Sequence, residues 1–198
     1  MGAEEVARRT AGAYATLPAV EAVALGGSRG AGRASPGSDV DLYVYCAAAL
    51  PLAERAAVAR RHASRVEVGN AFFEPGDEWV DAASGLRVDA MFREVAWIED
   101  QLDRVLGRHE ASVGYSTAFW HGVRASVALF DRRGWYARLR QRAEAPYPEP
   151  LRRAVVARNR PLLAANLSSY RHQIELAAAR GDAVSVNHRV SAFLASFF

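Results

Sequence analysis

The chain is 198 residues long, 51% hydrophobic and 24% charged, a globular composition that excludes the disordered and collagen-like classes. All 25 of its basic residues are arginine, which excludes P-loop ATPases, ordinary protein kinases and Schiff-base or pyridoxal enzymes, each built on a lysine amine. The net charge of +3 is uneven: residues 1–100 hold 10 Arg against 15 acids, residues 101–198 hold 15 Arg against 7 acids.

The N-terminus, with Glu4 and Glu5, lacks the basic start and apolar core of a signal peptide, and no apolar run approaches 18 residues, so a cytoplasmic protein is expected. Val6, Ala13 and Leu17 form a stripe that predicts a helix over Glu4–Leu17, stopped by Pro18. Val20–Leu25 reads as a short strand running into Gly26-Gly27. Ser28–Ser38 is rich in Gly, Ser and Pro, with room for a helical turn or two. Asp39–Tyr45 alternates strictly, and Leu52 to about His62 predicts a second helix. Cys46 is the only cysteine, which excludes an intrachain disulfide and a multi-cysteine metal site; it reads as a small buried apolar residue. Residues 66–93 suggest strands and hairpins, ending in the alternating run Arg87–Phe92. The period turns helical from Val95 to Leu106. Ala128-Leu129-Phe130 reads as a last short strand, and Pro146, Pro148 and Pro150 as a hinge. Leu163, Leu167, Tyr170, Ile174 and Ala178 recur at helical spacing, Gly181-Asp182 reads as a C-cap and a new N-cap, and Val186, Val190, Phe193, Leu194 and Phe197 form a final stripe. The apolar finish at Phe197-Phe198 suggests either burial against a partner, a homodimer being one form, or a natural helix that runs on past residue 198.

The chemistry concentrates in Leu25-Gly26-Gly27-Ser28-Arg29 and, ten residues after Ser28, in Ser38-Asp39-Val40-Asp41-Leu42. In a strand, Val40, Leu42 and Val44 point to one face and Asp39 and Asp41 to the other. Two carboxylates then stand about 7 Å apart, close enough to share cations. Like charges this near raise each other's pKa unless something positive compensates, and hard oxygen ligands suit Mg²⁺. Asp89, in the second alternating strand, is the third carboxylate expected to project toward them. Three carboxylates can hold two metal ions roughly 4 Å apart, the arrangement that serves phosphoryl-type transfer. Gly26 and Gly27 permit a tight bend and close approach of backbone N–H groups to phosphate oxygens; Ser28 adds a hydroxyl and Arg29 a charge.

A strand, Gly-Gly-Ser, a ten-residue loop, Asp-x-Asp in an apolar strand and a later apolar-Asp-apolar strand resemble the DNA polymerase β-like nucleotidyltransferase superfamily. The resemblance covers about residues 20–92 and points to the small-molecule branch, which includes aminoglycoside nucleotidyltransferases with a helical C-terminal region. It implies an α/β (α+β) fold: a nucleotidyltransferase lobe with a small mixed sheet flanked by helices, over residues 1–145, and a helical C-terminal lobe over 146–198. It further implies Asp39, Asp41 and Asp89 as catalytic metal ligands, and Gly26, Gly27, Ser28, Arg29 and Ser38 as nucleotide-binding residues. The implied cofactors are two Mg²⁺ ions, with an NTP, ATP in the first instance, as co-substrate. The reaction would move a nucleoside monophosphate to a hydroxyl of a small molecule and release pyrophosphate. No membrane or nucleic acid is expected as partner, and the arginine-rich second half favours a neutral or anionic acceptor over a polycation. Protein nucleotidylation, as in antitoxin-type members, and a catalytically silent nucleotide-binding module are the alternatives.

Other residues carry less. Gly26-Gly27-Ser28-Arg29-Gly30 also fits G-x-S-x-G, but that elbow leads straight into a long helix, which Gly30, Gly32, Pro36 and Gly37 forbid. His62, His109, His121, His172 and His188 show no metal-ligand spacing. Trp79, Trp97, Trp120 and Trp135 read as packing residues, and Glu110, Glu144 and Glu175 as solvated helix positions.

Overall fold

The computed structural model describes residues 1–71 and 74–197, so Phe198 lies outside the described residues. The chain forms two compact units, one of residues 1–100 with 121–144 and one of residues 101–120 with 145–198.

The first unit is built on a six-stranded mixed sheet in the order β3-β4-β5-β2-β1-β6. Its strands are β1 (Val20–Leu25), β2 (Val40–Cys46), β3 (Ala63–Asn70), β4 (Gly76–Asp81), β5 (Arg87–Glu94) and β6 (Val127–Asp131). Only β2 and β5 run parallel, with Asp41 opposite Asp89 and Leu42 opposite Ala90; every other pairing is antiparallel. Strict alternation in β2 explains its burial: Val40, Leu42, Val44 and Cys46 are buried on one face. They pack there with Val88 and Ala90 of β5 and with Val6, Ala7, Ala11 and Tyr14 of α1 (Ala3–Ala15). Val58 and Ala59 of α3 (Leu52–Arg60) join the same core.

Two aspartates lie buried with that core, each satisfied. Asp77 receives two bonds from the Arg55 guanidinium, at 2.6 and 3.0 Å, and one from the Gly69 amide at 2.8 Å. Asp81 is paired with Arg9 and accepts from the Ser84 hydroxyl and amide, the bonds that make a buried charge tolerable. On the opposite face of β2, Tyr45 is buried and stacks on Tyr136 of α6 (Trp135–Ala143), with ring centroids 5.1 Å apart. α6 thus covers the far end of that face from Asp41, four residues or about 13 Å along the strand.

α2 (Gly27–Gly30) is a single turn, as the Gly- and Pro-rich loop predicts. α4 (Val95–Leu106) begins directly at the end of β5, and α5 (Ala118–Ala125) precedes β6. In the second unit, α7 (Glu149–Arg160) runs into a π-helical turn at Pro161–Ala165, where Pro161 has no N–H to continue the α ladder. The helix expected to run through Leu163, Leu167 and Ala178 is therefore interrupted. The chain turns extended at Asn166, Leu167 is exposed, and α8 (Tyr170–Ala179) restarts with the Ser169 hydroxyl accepting from the His172 amide. Gly181 adopts a φ of 69° and Asp182 caps α9 (Ala183–Phe197) by accepting from the Ser185 amide. Asn159 ties this unit together: its side chain accepts from the Gly114 amide at 2.9 Å and donates to Ser112 and Val155 carbonyls at 3.0 Å. Gly114 sits so close to α9 that a Cβ there would lie 2.0 Å from the Ala195 carbonyl oxygen.

Candidate active site

β1 ends in a bend pressed against β2. The Gly26 amide donates to the Asp41 carbonyl at 2.8 Å, extending the strand pairing one residue past Leu25. A Cβ on Gly26 would stand 2.4 Å from the Tyr43 ring, and one on Gly27 would stand 1.8 Å from Asp41 Oδ2. Gly27 also has a φ of 54°, so both the backbone conformation and the space demand glycine. The turn backbone thus lies directly beside the Asp41 carboxylate. The Ser28 hydroxyl has no hydrogen bond to another described residue, and α2 is only one turn long, which removes the serine-nucleophile alternative: no base engages Ser28 and no long helix follows it.

Arg29 and Ser38 brace the loop. The Arg29 guanidinium donates to the Asp39 carbonyl at 2.8 Å and to the Ser38 carbonyl at 2.5 Å. The Ser38 hydroxyl accepts from the Ser35 amide at 2.9 Å. Both residues fix where the loop delivers Asp39 to β2.

Of the three predicted carboxylates, Asp41 and Asp89 are neighbours in register on adjacent parallel strands, on the face opposite the core. Asp39 lies one residue before β2 on the same face and accepts from Arg87 Nη2 at 2.7 Å. Among the described residues, no three carboxylate, imidazole or thiolate groups are gathered closely enough to hold one metal ion as they stand. Their electrostatics leave negative charge that a cation could offset. Burial, followed by Asp39, pushes the Asp41 carboxyl above its ordinary value, against the guanidiniums of Arg29 and Arg87. Asp89 is pushed up to about 6, first by burial and then by Glu78, Asp41, Asp39 and Glu74. Hard oxygen donors whose mutual repulsion lacks full compensation fit a divalent ion such as Mg²⁺.

Glu78 joins the site without a warning in the sequence pattern. It stands opposite Asp89 in the β4–β5 pairing, and Glu67 stands opposite Glu78 in the β3–β4 pairing, so the carboxylate row continues across four strands. The alternation Val66-Glu67-Val68 is a usable signal; β4 is not, because its core-side positions hold Asp77 and Asp81 where apolar residues are expected. Arg87 is a further site residue that the motifs do not mark, although its two-residue spacing from Asp89 puts both on one face.

Residues 8–111, more than half of the chain, match the family model described as a nucleotidyltransferase domain, and the chain belongs to that family. The matched residues include β1 to β5 of the mixed sheet, so the chain carries a nucleotidyltransferase domain. Among solved structures, a nucleotidyltransferase-like protein from Exiguobacterium sibiricum 255-15 is similar over 96% of this chain, at 16% identity and a TM-score of 0.42. The match covers 55% of that protein, so the chain spans about half its length. No curated protein matches the sequence. Among the described residues, no helix is long and apolar enough to cross a membrane.

Proposed function

We propose that the protein transfers a nucleoside monophosphate from an NTP, ATP in the first instance, to a hydroxyl of a small molecule and releases pyrophosphate. The observation that carries this reading is the Asp41–Asp89 pair, in register on parallel strands, with the Gly27 backbone against Asp41. We assign residues 1–145 to the catalytic domain and 146–198 to a helical companion, a division that leaves residues 101–120, part of the second compact unit, on the catalytic side.

Asp39, Asp41 and Asp89 would hold two Mg²⁺ ions, which when bound supply positive charge to the phosphoryl oxygens. The turn at Gly27 and Ser28 presents backbone N–H groups and a free hydroxyl to the triphosphate, and Arg29 holds that turn against the Asp39 segment. The acceptor oxygen attacks the α-phosphorus as the bond to the β-phosphate oxygen breaks, and pyrophosphate leaves in line. Asp89 would be the carboxylate that takes the hydroxyl proton.

The test is calorimetry of NTP binding with and without Mg²⁺, then a pyrophosphate-release assay over a panel of acceptors. Asp41→Asn is expected to keep the fold while lowering turnover by about 10³-fold, the scale of losing several kcal/mol of transition-state charge stabilisation. Full activity in that variant overturns the assignment.

A further inference from the structure

The face that carries Asp41 and Asp89 does not end at β5. Two rungs cross it. The first reads Asp41, Asp89, Glu78, Glu67 from β2 to β3; the second, two residues along, reads Arg87, Val80, Arg65 from β5 to β3. Strands are about 4.8 Å apart and the rungs about 6.6 Å apart. A cavity of about 430 Å³ lies over them, with Glu67, Glu78, Arg65 and Arg87 in its lining.

Folding alone gives no reason for this pattern. Like charges directly opposite each other on neighbouring strands are destabilising, yet Asp89 faces Glu78 and Glu78 faces Glu67. The two arginines flank a small apolar residue, Val80, and neither forms an ion pair with Asp89, Glu78 or Glu67, while Arg87 offsets the charge around Asp41 only in part. The Arg65 side chain makes no hydrogen bond or ion pair with another described residue, and Arg87 is held by Asp39. Were Asp39 to take up a cation, the Arg87 guanidinium would be free to face the cavity.

The cavity's place in the reaction follows from in-line displacement, which sets the attacking and leaving oxygens on opposite sides of phosphorus. With the leaving polyphosphate on the Gly27–Ser28 turn, on the β1 side of Asp41, the attacking hydroxyl arrives from the β5 side, over Asp89. The rest of the acceptor then lies along the groove toward β3. There Glu78 and Glu67 suit an ammonium, while Arg65 and Arg87 suit a phosphate or carboxylate, whose paired oxygens match the guanidinium fork.

We propose that this groove is the acceptor site and that it selects a zwitterionic acceptor, a hydroxyl compound bearing both an amino and an anionic group. The proposal rests on the nucleotidyl-transfer reading above. Its test uses the full chain with Mg²⁺ and an NTP analogue whose α,β-bridge resists cleavage, titrated at pH 7 with glucose, glucosamine, glucose 6-phosphate and glucosamine 6-phosphate. Glucosamine 6-phosphate is expected to bind at least tenfold more tightly than glucose. Arg65→Gln should remove the gain given by the phosphate and leave that of the amine, and Glu78→Gln should do the reverse. Both side chains are exposed, and unchanged melting temperatures confirm that the variants fold. Equal binding of the four sugars, no binding of any, or a uniform loss in both variants overturns the proposal. Failure of the analogue itself to bind with Mg²⁺ overturns the nucleotidyl-transfer reading instead.

Discussion

Arg87 and Asp39 face each other across β5 and β2, with Nη2 2.7 Å from Oδ2, in the same register that sets Asp41 beside Asp89. The arginine therefore holds one of the three carboxylates that a divalent cation would need. The two side chains are 73% and 38% exposed, so the pair contributes about 0.2–1 kcal/mol. A metal ion held by Asp39 would compete with that contact. Arg87→Gln is accordingly expected to tighten Mn²⁺ binding by up to about fivefold, measured by electron paramagnetic resonance without nucleotide, whereas Arg87→Lys should stay near the parent value. Weaker Mn²⁺ binding in Arg87→Gln would show that the arginine supports the metal site instead of competing for it.

Gly27 makes a different demand. Any side chain there meets Asp41 Oδ2 and must also adopt a φ of 54°. The left-handed conformation alone costs about 1–2 kcal/mol, and relief of the clash requires Asp41 to move. Gly27→Ala is expected to lower the melting temperature by a few degrees and to reduce transfer activity by a much larger factor than that stability loss explains. Gly32 has a φ of 68°, but a methyl group there would meet nothing within 4 Å, so Gly32→Ala should share the backbone cost and spare activity. Equal activity losses in the two variants would remove Gly27 from the site.

The strands at the centre of the sheet are legible in the sequence because they obey simple periodicity. Val20–Leu25 and the alternation around Asp39 and Asp41 are apolar on the side that meets α1, so the face of each aspartate follows from its position. Beyond β5 this rule fails. β4 places Asp77 and Asp81 in the core, each balanced by an arginine from a distant helix, and no pattern of neighbours in sequence announces such pairs. Glu78 disappears with them. The interruption after Arg160 is hidden for a related reason: Leu163 and Leu167 keep helical spacing, yet Pro161 and the Ser169 cap break the hydrogen-bond ladder beneath it.

Asn159 carries the organisation of the second unit. It is 5% exposed and makes three side-chain bonds, to Gly114, Ser112 and Val155. Removing it leaves the buried Gly114 amide without its partner, at about 1–3 kcal/mol. Asn159→Ala is expected to release the amides of residues 107–117 to rapid hydrogen exchange while leaving those of β2 and β5 protected. Unchanged protection at Gly114 would mean that its approach to α9, not Asn159, holds the segment.

Asp89 sets a pH dependence whose sign is fixed. Its carboxyl is pushed from 3.8 to about 6 in the folded protein, so between those values the native state keeps a proton that the unfolded chain has released. Stability therefore falls as pH rises through that window and stays lowered above it. Half-burial tempers the size of the effect, but not its direction. Asp89→Asn removes this penalty, and its melting temperature is expected to exceed the parent's by about 2 °C at pH 7.5 and to draw level near pH 4. Mg²⁺ should act differently on the two proteins at pH 7.5: it stabilises the parent, whose repelling carboxylates gain a counter-ion, and has little effect on Asp89→Asn. A melting temperature of Asp89→Asn that gains nothing on the parent's between pH 4 and pH 7.5 without metal would show that the carboxylate row is already neutralised by its own arginines.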